Sequence, residues 1–469
     1  MTSAAHIDLY QLSSLIPHVD AGLADTPVAM SFFSRRLPRT PHDKTPVRAF
    51  LVWAGLRRCL QHLQNARFDS AHMESLLAQP MLADALRARP ELVERLRNWR
   101  FKGRICAAPE GTLILAGRAV GPDGVPIDVD GVRPSAQCPY LVVETDLLSA
   151  KLIETPLLSI INHMTMVASK AARVVLAAGD RGVLEFGQRR THPEAAVDAA
   201  YAAWIAGCVG SSNVEAWHRY GVPIAGTMDH FAIQSWERAG VPRHETERAF
   251  FEAFYKAYPD SSFLLVDTYD TYGEQTGIRN AVRATEGRLT GIRLDSNLTV
   301  ESIREARRIL DDEGAPHATI AVSGGIDEYA VDALGDAPVD LFGVGERIVT
   351  SPDAPVGVGA VGKLVMVDQR PTMKLSRGSG KATLPGLVQV WEDEQSRQTV
   401  GLRGEREGGL LQPVWEGRHP LPLPSGEATR EAVLARLRGL SAAQREPKQP
   451  LVPVTAALAA LIEECVRAD

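Results

Sequence analysis

Between about residues 180 and 350, short apolar runs alternate with segments whose apolar residues recur at helical spacing. The runs are VLEFG (183–187), PIAG (223–226), FLLVD (263–267), GIRLD (291–295), TIAVSGG (319–325) and DLFGVG (340–345). Between them, ETERAFFEAFYKAY, QTGIRNAVRATEG, VESIREARRILDDEG and EYAVDALG carry the period of amphipathic helices. Strands alternating with helices predict parallel βαβ units. So many units in succession fit a closed (β/α) barrel better than an open doubly wound sheet.

The flanks follow a different pattern. FLVWAGLRRCLQHLQ (50–64) and MLADALRARPELVERLRNWRF (81–101) read as helices, while VPIDVDG and PYLVVETDLL read as strands among turns. After residue 370, KATLPGLVQVWED and QTVGLRG read as strands, and EATREAVLARLRGLS and VTAALAALIEECVRA as helices. The expected organisation is an α+β domain over 1–150 completed by the C-terminal segment, an α/β barrel over 151–370, and strands then helices over 371–469.

Composition narrows the class. A chain of 469 residues with 45% hydrophobic and 23% charged residues has the balance of a soluble protein with at least one large core. The net charge of -6 gives no support to a nucleic-acid or anionic-membrane partner. No apolar run reaches membrane-spanning length, and the N-terminus has no signal-peptide pattern, so a cytoplasmic location is expected. Cys59, Cys106, Cys138, Cys208 and Cys465 are scattered without metal-ligand spacing, so neither a zinc site nor a disulfide framework is expected.

Candidate chemistry gathers where strands should end. SGGIDEY (323–329) and FGVGERIVTS (342–351) place Ser323, Gly324, Gly325, Gly343 and Gly345 in two turns whose bare N–H groups suit a phosphate. Phosphate sites recur on the final strands of barrels. Asp267 and Asp295 close two other strands, where carboxylates hold ribose hydroxyls or Mg²⁺ with its waters. FGQRR (186–190) sets Phe186 beside Arg189, an aromatic face next to a group that binds carboxylate, and Arg293 offers a second guanidinium to the same ring. His230 falls just after the Gly-Thr turn that ends YGVPIAGTMDH. RGSGKAT (377–383) lacks the spacing of a P-loop, and SRRLPR (34–39) reads as a short basic surface loop.

Together these motifs resemble nicotinate phosphoribosyltransferase, over about residues 6 to 395. DLYQL (8–12), PEGT (109–112), ETPLLSIINHMTMVASKAAR (154–173), FGQRR, GSSNV (210–214), YGVPIAGTMDH, LLVDTYDT, GIRLDS, FGVGERIVTS and MKLS (373–376) carry the resemblance in order. It implies an irregular α/β barrel with a smaller α+β domain from both chain ends, and a homodimer with shared active sites. The reaction implied transfers phosphoribosyl from phosphoribosyl pyrophosphate to nicotinate, with Mg²⁺ carried on the phosphates and ATP as a further substrate. His230 matches the histidine that ATP transiently phosphorylates, Asp229 would orient its imidazole, and Asp295 completes the catalytic set. Phe186, Arg189, Ser212 and Arg293 would form the base site, with Tyr10 of the partner subunit stacked opposite Phe186. A hydroxyl at Ser212, where nicotinamide enzymes carry an aspartate, favours an acidic base. The chain departs from the family in GCVGSSN, in lacking Gly-Asp after Ser296, and in Glu346 beside the phosphate turn. These leave two alternatives: transfer to nicotinamide or another aromatic base, and an inactive homologue that binds nucleotide as a sensor.

Overall fold

The apolar runs between residues 182 and 344 become strands because they are short, rich in Val, Ile and Leu, and largely buried. In the computed structural model, which describes residues 3–40, 45–135, 138–351, 358–448 and 450–468, five of them join the short strand Gly210–Ser211 in one six-stranded parallel sheet. The six are β1 (Gly182–Glu185), β2 (Gly210–Ser211), β3 (Phe263–Leu265), β4 (Gly291–Leu294), β5 (Thr319–Ser323) and β6 (Leu341–Val344). Their order across the sheet is β2-β1-β6-β5-β4-β3, every neighbouring pair parallel. Helices Pro193–Ile205, Arg243–Ala257, Gly277–Ala284, Val300–Asp312 and Glu328–Leu334 return the chain between strands.

The barrel is irregular. Among the described residues no ladder joins β2 to β3, so six strands make a half-barrel with two edges rather than a closed ring. The strand expected at PIAG is reduced to a single bridge between Ile224 and Ser211. Pro223 has no N–H to give to a ladder, and its carbonyl takes Ser211 N at 2.9 Å.

The chain divides into two compact units. Lys170–Pro352 and Val433–Arg438 form the unit just described, and Met1–Ser169, Asp353–Ala432 and Gly439–Asp469 form the other. The second unit is built on an antiparallel sheet that mixes the two ends of the chain. Strand Pro27–Ser34 lies between Ala360–Val367 and Leu141–Asp146, and Gly103–Ala107 lies between Leu141–Asp146 and Gln412–Gly417. Two helical expectations break here. FLVWAGLRR begins as strand Leu51–Val52, and the helix starts only at Leu56, after Gly55 at φ 112°. Residues 81–101 give two short helices, Ala83–Arg87 and Pro90–Arg97, because Pro90 can open a helix and cannot continue one. VPIDVDG forms isolated bridges only. Among the described residues no helix is long and apolar enough to cross a membrane.

Helix Arg243–Ala257 holds a fully buried acid, Glu247. One carboxylate oxygen accepts from Gly277 N at 2.9 Å and Asn280 Nδ2 at 2.8 Å, which pins the end of the loop after β3. Burial pushes this carboxyl up to about 7 from an ordinary 4.5, with the charge of Asp270 adding and the two hydrogen bonds opposing. A folded pKa above the unfolded one favours the folded state most below the unfolded value. That contribution is lost as pH rises through about 7. Stability should therefore fall by on the order of 3 kcal/mol from this group between pH 5 and pH 8. Glu247→Gln should flatten that slope in denaturant melts run across the same pH range. An unchanged slope would show that another group sets it.

Candidate active site

In a parallel sheet every strand delivers its carboxyl end to one rim. Phe186 follows β1, Asp295 follows β4, Ser323 ends β5, Gly343 and Gly345 lie at the end of β6, and Asp267 stands two residues beyond β3. Arg293, within β4, joins several of them. Its Nε donates to Ser323 Oγ at 2.8 Å, one terminal nitrogen to Asp295 Oδ1 at 2.9 Å and the other to Met228 O at 3.3 Å. Its guanidinium lies 5.6 Å from the centroid of the Phe186 ring. Behind the ring is Gly343, where an added Cβ would sit 2.5 Å from a ring carbon. The absence of a side chain there is what lets Phe186 lie against the sheet.

The acids are held in defined states. Asp267 Oδ2 accepts from Asp295 N at 2.9 Å and Ser296 Oγ at 2.7 Å, whereas Oδ1 is buried and has no hydrogen-bond partner among the described residues. Burial opposes ionisation of Asp295, yet hydrogen bonds from Ser323 and Arg293 and the charges of Arg293 and His230 hold its carboxyl below the usual range. His230 opens helix His230–Gln234. Its Nδ1 is 3.0 Å from Thr268 Oγ1, and its Nε2 is 3.9 Å from the unpartnered Asp267 oxygen. Asp229 does not take the imidazole: its side chain caps the helix, accepting from Ala232 N at 2.7 Å. The orienting contact belongs to Thr268, a hydroxyl whose role nothing in VDTYDT discloses.

Of the two glycine segments, the turn after β5 has the backbone expected of an anion cradle, whereas Gly343 is held within β6. Gly324 and Gly325 are at φ 105° and 69°, and a side chain at Gly324 would collide with Asp295 O. A cleft of about 560 Å³ lined by Asp295, Ser296, Asn297, Gly324 and Ile326 opens beside them. Glu346 turns toward Arg190, 3.9 Å away, and is well exposed, so its charge has a nearby cation. Arg189 and Ser212 lie exposed at the same rim, on the turns after β1 and β2. Tyr10 lies in the other unit, about half exposed on helix Leu9–Asp20.

That other unit also holds a cationic cleft of about 720 Å³, lined by Arg35, Arg36, Arg39, Arg118, Arg133 and Lys381. Both SRRLPR and RGSGKAT contribute to it. Read singly they appear as a basic loop and a failed P-loop, because four segments far apart in sequence make the cluster.

Comparison with known proteins finds relatives along most of the chain. Residues 6–162 match the family model for the nicotinate phosphoribosyltransferase N-terminal domain, and 167–354 that for the quinolinate phosphoribosyl transferase C-terminal domain. The chain is 37% identical over 459 residues to nicotinate phosphoribosyltransferase pncB1 of Mycobacterium tuberculosis, covering 95% of this chain and 93% of that one. It is 32% identical over 398 residues to the Bacillus subtilis nicotinate phosphoribosyltransferase, covering 82% and 72%. The crystal structure of human nicotinic acid phosphoribosyltransferase superposes with a TM-score of 0.78 at 25% identity, covering 97% of this chain and 99% of that one.

Gly343→Ala should destabilise by about 1–3 kcal/mol, since the new methyl must displace the Phe186 ring. Calorimetry should show a lowered Tm, with Gly226→Ala, whose Cβ meets nothing within 4 Å, as the silent control. A Gly343→Ala protein that melts with the wild type would mean the ring is not held against this strand.

Proposed function

The chain belongs to the nicotinate phosphoribosyltransferase family, and from that premise we propose that it joins nicotinate to phosphoribosyl pyrophosphate in NAD biosynthesis. The observation that carries this reading is the single cluster of Phe186, Arg293, Asp295 and Ser323 beside two glycine turns and His230. In it the nicotinate ring lies on Phe186, and its carboxylate meets the Ser212 hydroxyl and Arg189. Asp267 and Asp295 hold the ribose, and the N–H groups of Gly324, Gly325 and Gly345 take the 5′-phosphate. The ring nitrogen bonds to ribose C1 as the bond from C1 to the pyrophosphate oxygen breaks, giving nicotinate mononucleotide and pyrophosphate. Positive charge building at C1 is favoured by the two carboxylates, and alignment of the three partners lowers the barrier further.

ATP coupling is part of the same proposal. His230 takes the terminal phosphoryl group of ATP, releasing ADP, and later yields it to water as phosphate. Thr268 holds the imidazole for this step. Mg²⁺ would enter with the phosphates and screen their charge. The unpartnered Asp267 oxygen, next to Asp295, fits a cation that takes one or two carboxylates and completes its shell with phosphate and water. Among the described residues no group of three or more His, Cys, Asp or Glu forms a cage of its own. A homodimer with shared sites belongs to this reading too, with Tyr10 of the partner subunit stacked on the base. The cationic cleft suits phosphate groups.

The deciding assay gives purified protein phosphoribosyl pyrophosphate, Mg²⁺ and nicotinate, nicotinamide or quinolinate, with and without ATP. Nicotinate-dependent mononucleotide stimulated by ATP is expected, and no product with any base would sink the proposal. His230→Ala should lose ATP stimulation while keeping a weak ATP-independent rate; full stimulation would remove His230 from the coupling step. Ser212→Asp should lower kcat/KM for nicotinate by roughly ten- to a hundred-fold, about 1–3 kcal/mol for a carboxylate facing a carboxylate. Unchanged kinetics would place Ser212 outside the base site.

A further inference from the structure

The turns that carry Phe186 and Ser212 leave neighbouring strands, yet the ladder between β1 and β2 has only two residue pairs, Leu184 with Gly210 and Glu185 with Ser211. A ladder that short at a sheet edge fixes its register weakly. A side chain supplies what the backbone lacks. Glu185 is 1% exposed, and its carboxylate accepts from Ser211 Oγ at 2.6 Å and from Gly187 N. Ser211 Oγ accepts in turn from Asn213 N at 3.0 Å, and Asn213 Nδ2 donates to Gln188 Oε1. Asn213 Oδ1 caps the next helix through Ala216 N at 3.0 Å, and Ser212 N donates to Glu185 O at 3.0 Å. The bonds close into a ring: one carboxylate grips both turns, and the two turns grip each other.

Packing does not account for an acid at this position. Burial pushes the Glu185 carboxyl up, and the bonds from Ser211 and Gly187 pull it back. Those two partners are neutral donors, so the group bears a desolvation cost that an apolar residue would avoid. What an apolar residue cannot do is accept two hydrogen bonds at once. A glutamine could keep the bond from Gly187 N only by turning its N–H toward Ser211 Oγ, which leaves the Ser211 O–H without its acceptor.

We propose that Glu185 is a positioning residue of the base pocket: it ties the Phe186 turn to the Ser212 turn and so sets the spacing between the aromatic face and the hydroxyl. This rests on the reading of Phe186 and Ser212 as base contacts. Glu185 lies behind the pocket wall and acts through the turns, so its loss should weaken recognition of the base and spare that of phosphoribosyl pyrophosphate.

Glu185→Gln should raise KM for nicotinate by roughly ten- to a hundred-fold, the range for a buried donor left without its acceptor. KM for phosphoribosyl pyrophosphate should change less than about two-fold, the spread of surface substitutions. Ser211→Ala cuts the same link from the other side, so the double variant should be no worse than the worse single one. Amides 210–213 should exchange faster with solvent in each variant. A wild-type KM for nicotinate in Glu185→Gln, or fully additive effects, overturns the proposal. If the wild type itself makes no nicotinate product, the functional reading fails instead. Unchanged exchange at 210–213 would then still refute the tie between the turns. Should Glu185→Gln not fold, Ser211→Ala carries the same kinetic and exchange tests.

Discussion

The rim of the half-barrel depends on one guanidinium. Arg293 is bonded to Asp295 from the loop after its own strand, to Ser323 on the next strand and to Met228 O from the His230 segment, and its guanidinium lies 5.6 Å from the centroid of the Phe186 ring after β1. A planar group with five donors can meet several acceptors at fixed angles while presenting a flat face to an aromatic ring. A lysine has the charge but neither the fork nor the plane. Four segments that share no contiguous sequence are thereby set in one arrangement.

The same group explains why the acids at this rim differ. Asp295 has its charge matched by Arg293 and hydrogen bonds from two donors, so it stays ionised despite burial. Asp267 is satisfied on one oxygen by the backbone and hydroxyl of the next loop, and the other oxygen faces His230. Two carboxylates of equal chemistry thus have unequal neighbours, one paired with a guanidinium and the other with a buried oxygen that no hydrogen bond reaches among the described residues.

Much of this was legible in the sequence, for a definite reason. Burial on both faces makes the strands of a parallel sheet apolar throughout, so FLL, GIRL and TIAVS announce themselves, and the residue that breaks each run marks the rim. Phe186, Asp267, Asp295 and Ser323 are read by that logic, and Arg293 by the charge it places inside GIRL. The logic fails where the local signal is ambiguous or absent. FLVWAG has the apolarity of a buried helix, yet it gives a two-residue strand, Leu51–Val52, and the helix begins only after Gly55. PIAG is apolar enough for a strand and has a proline where a donor is needed. Thr268 and Asp229 illustrate a subtler limit: both stand next to the expected actors, and only the direction of each side chain decides which of them meets the imidazole.

The sheet order places unlike duties at unlike depths. Arg293, Ser323 and Gly343 belong to strands paired on both sides, where any change of backbone is felt by two neighbours. Ser212 hangs from β2, a two-residue edge strand, and among the described residues it enters the surrounding hydrogen bonds through its N–H. An exchange of side chain there leaves those bonds in place. Side chains at this edge can therefore be exchanged while the doubly paired interior, and every bond it makes, stays as it is.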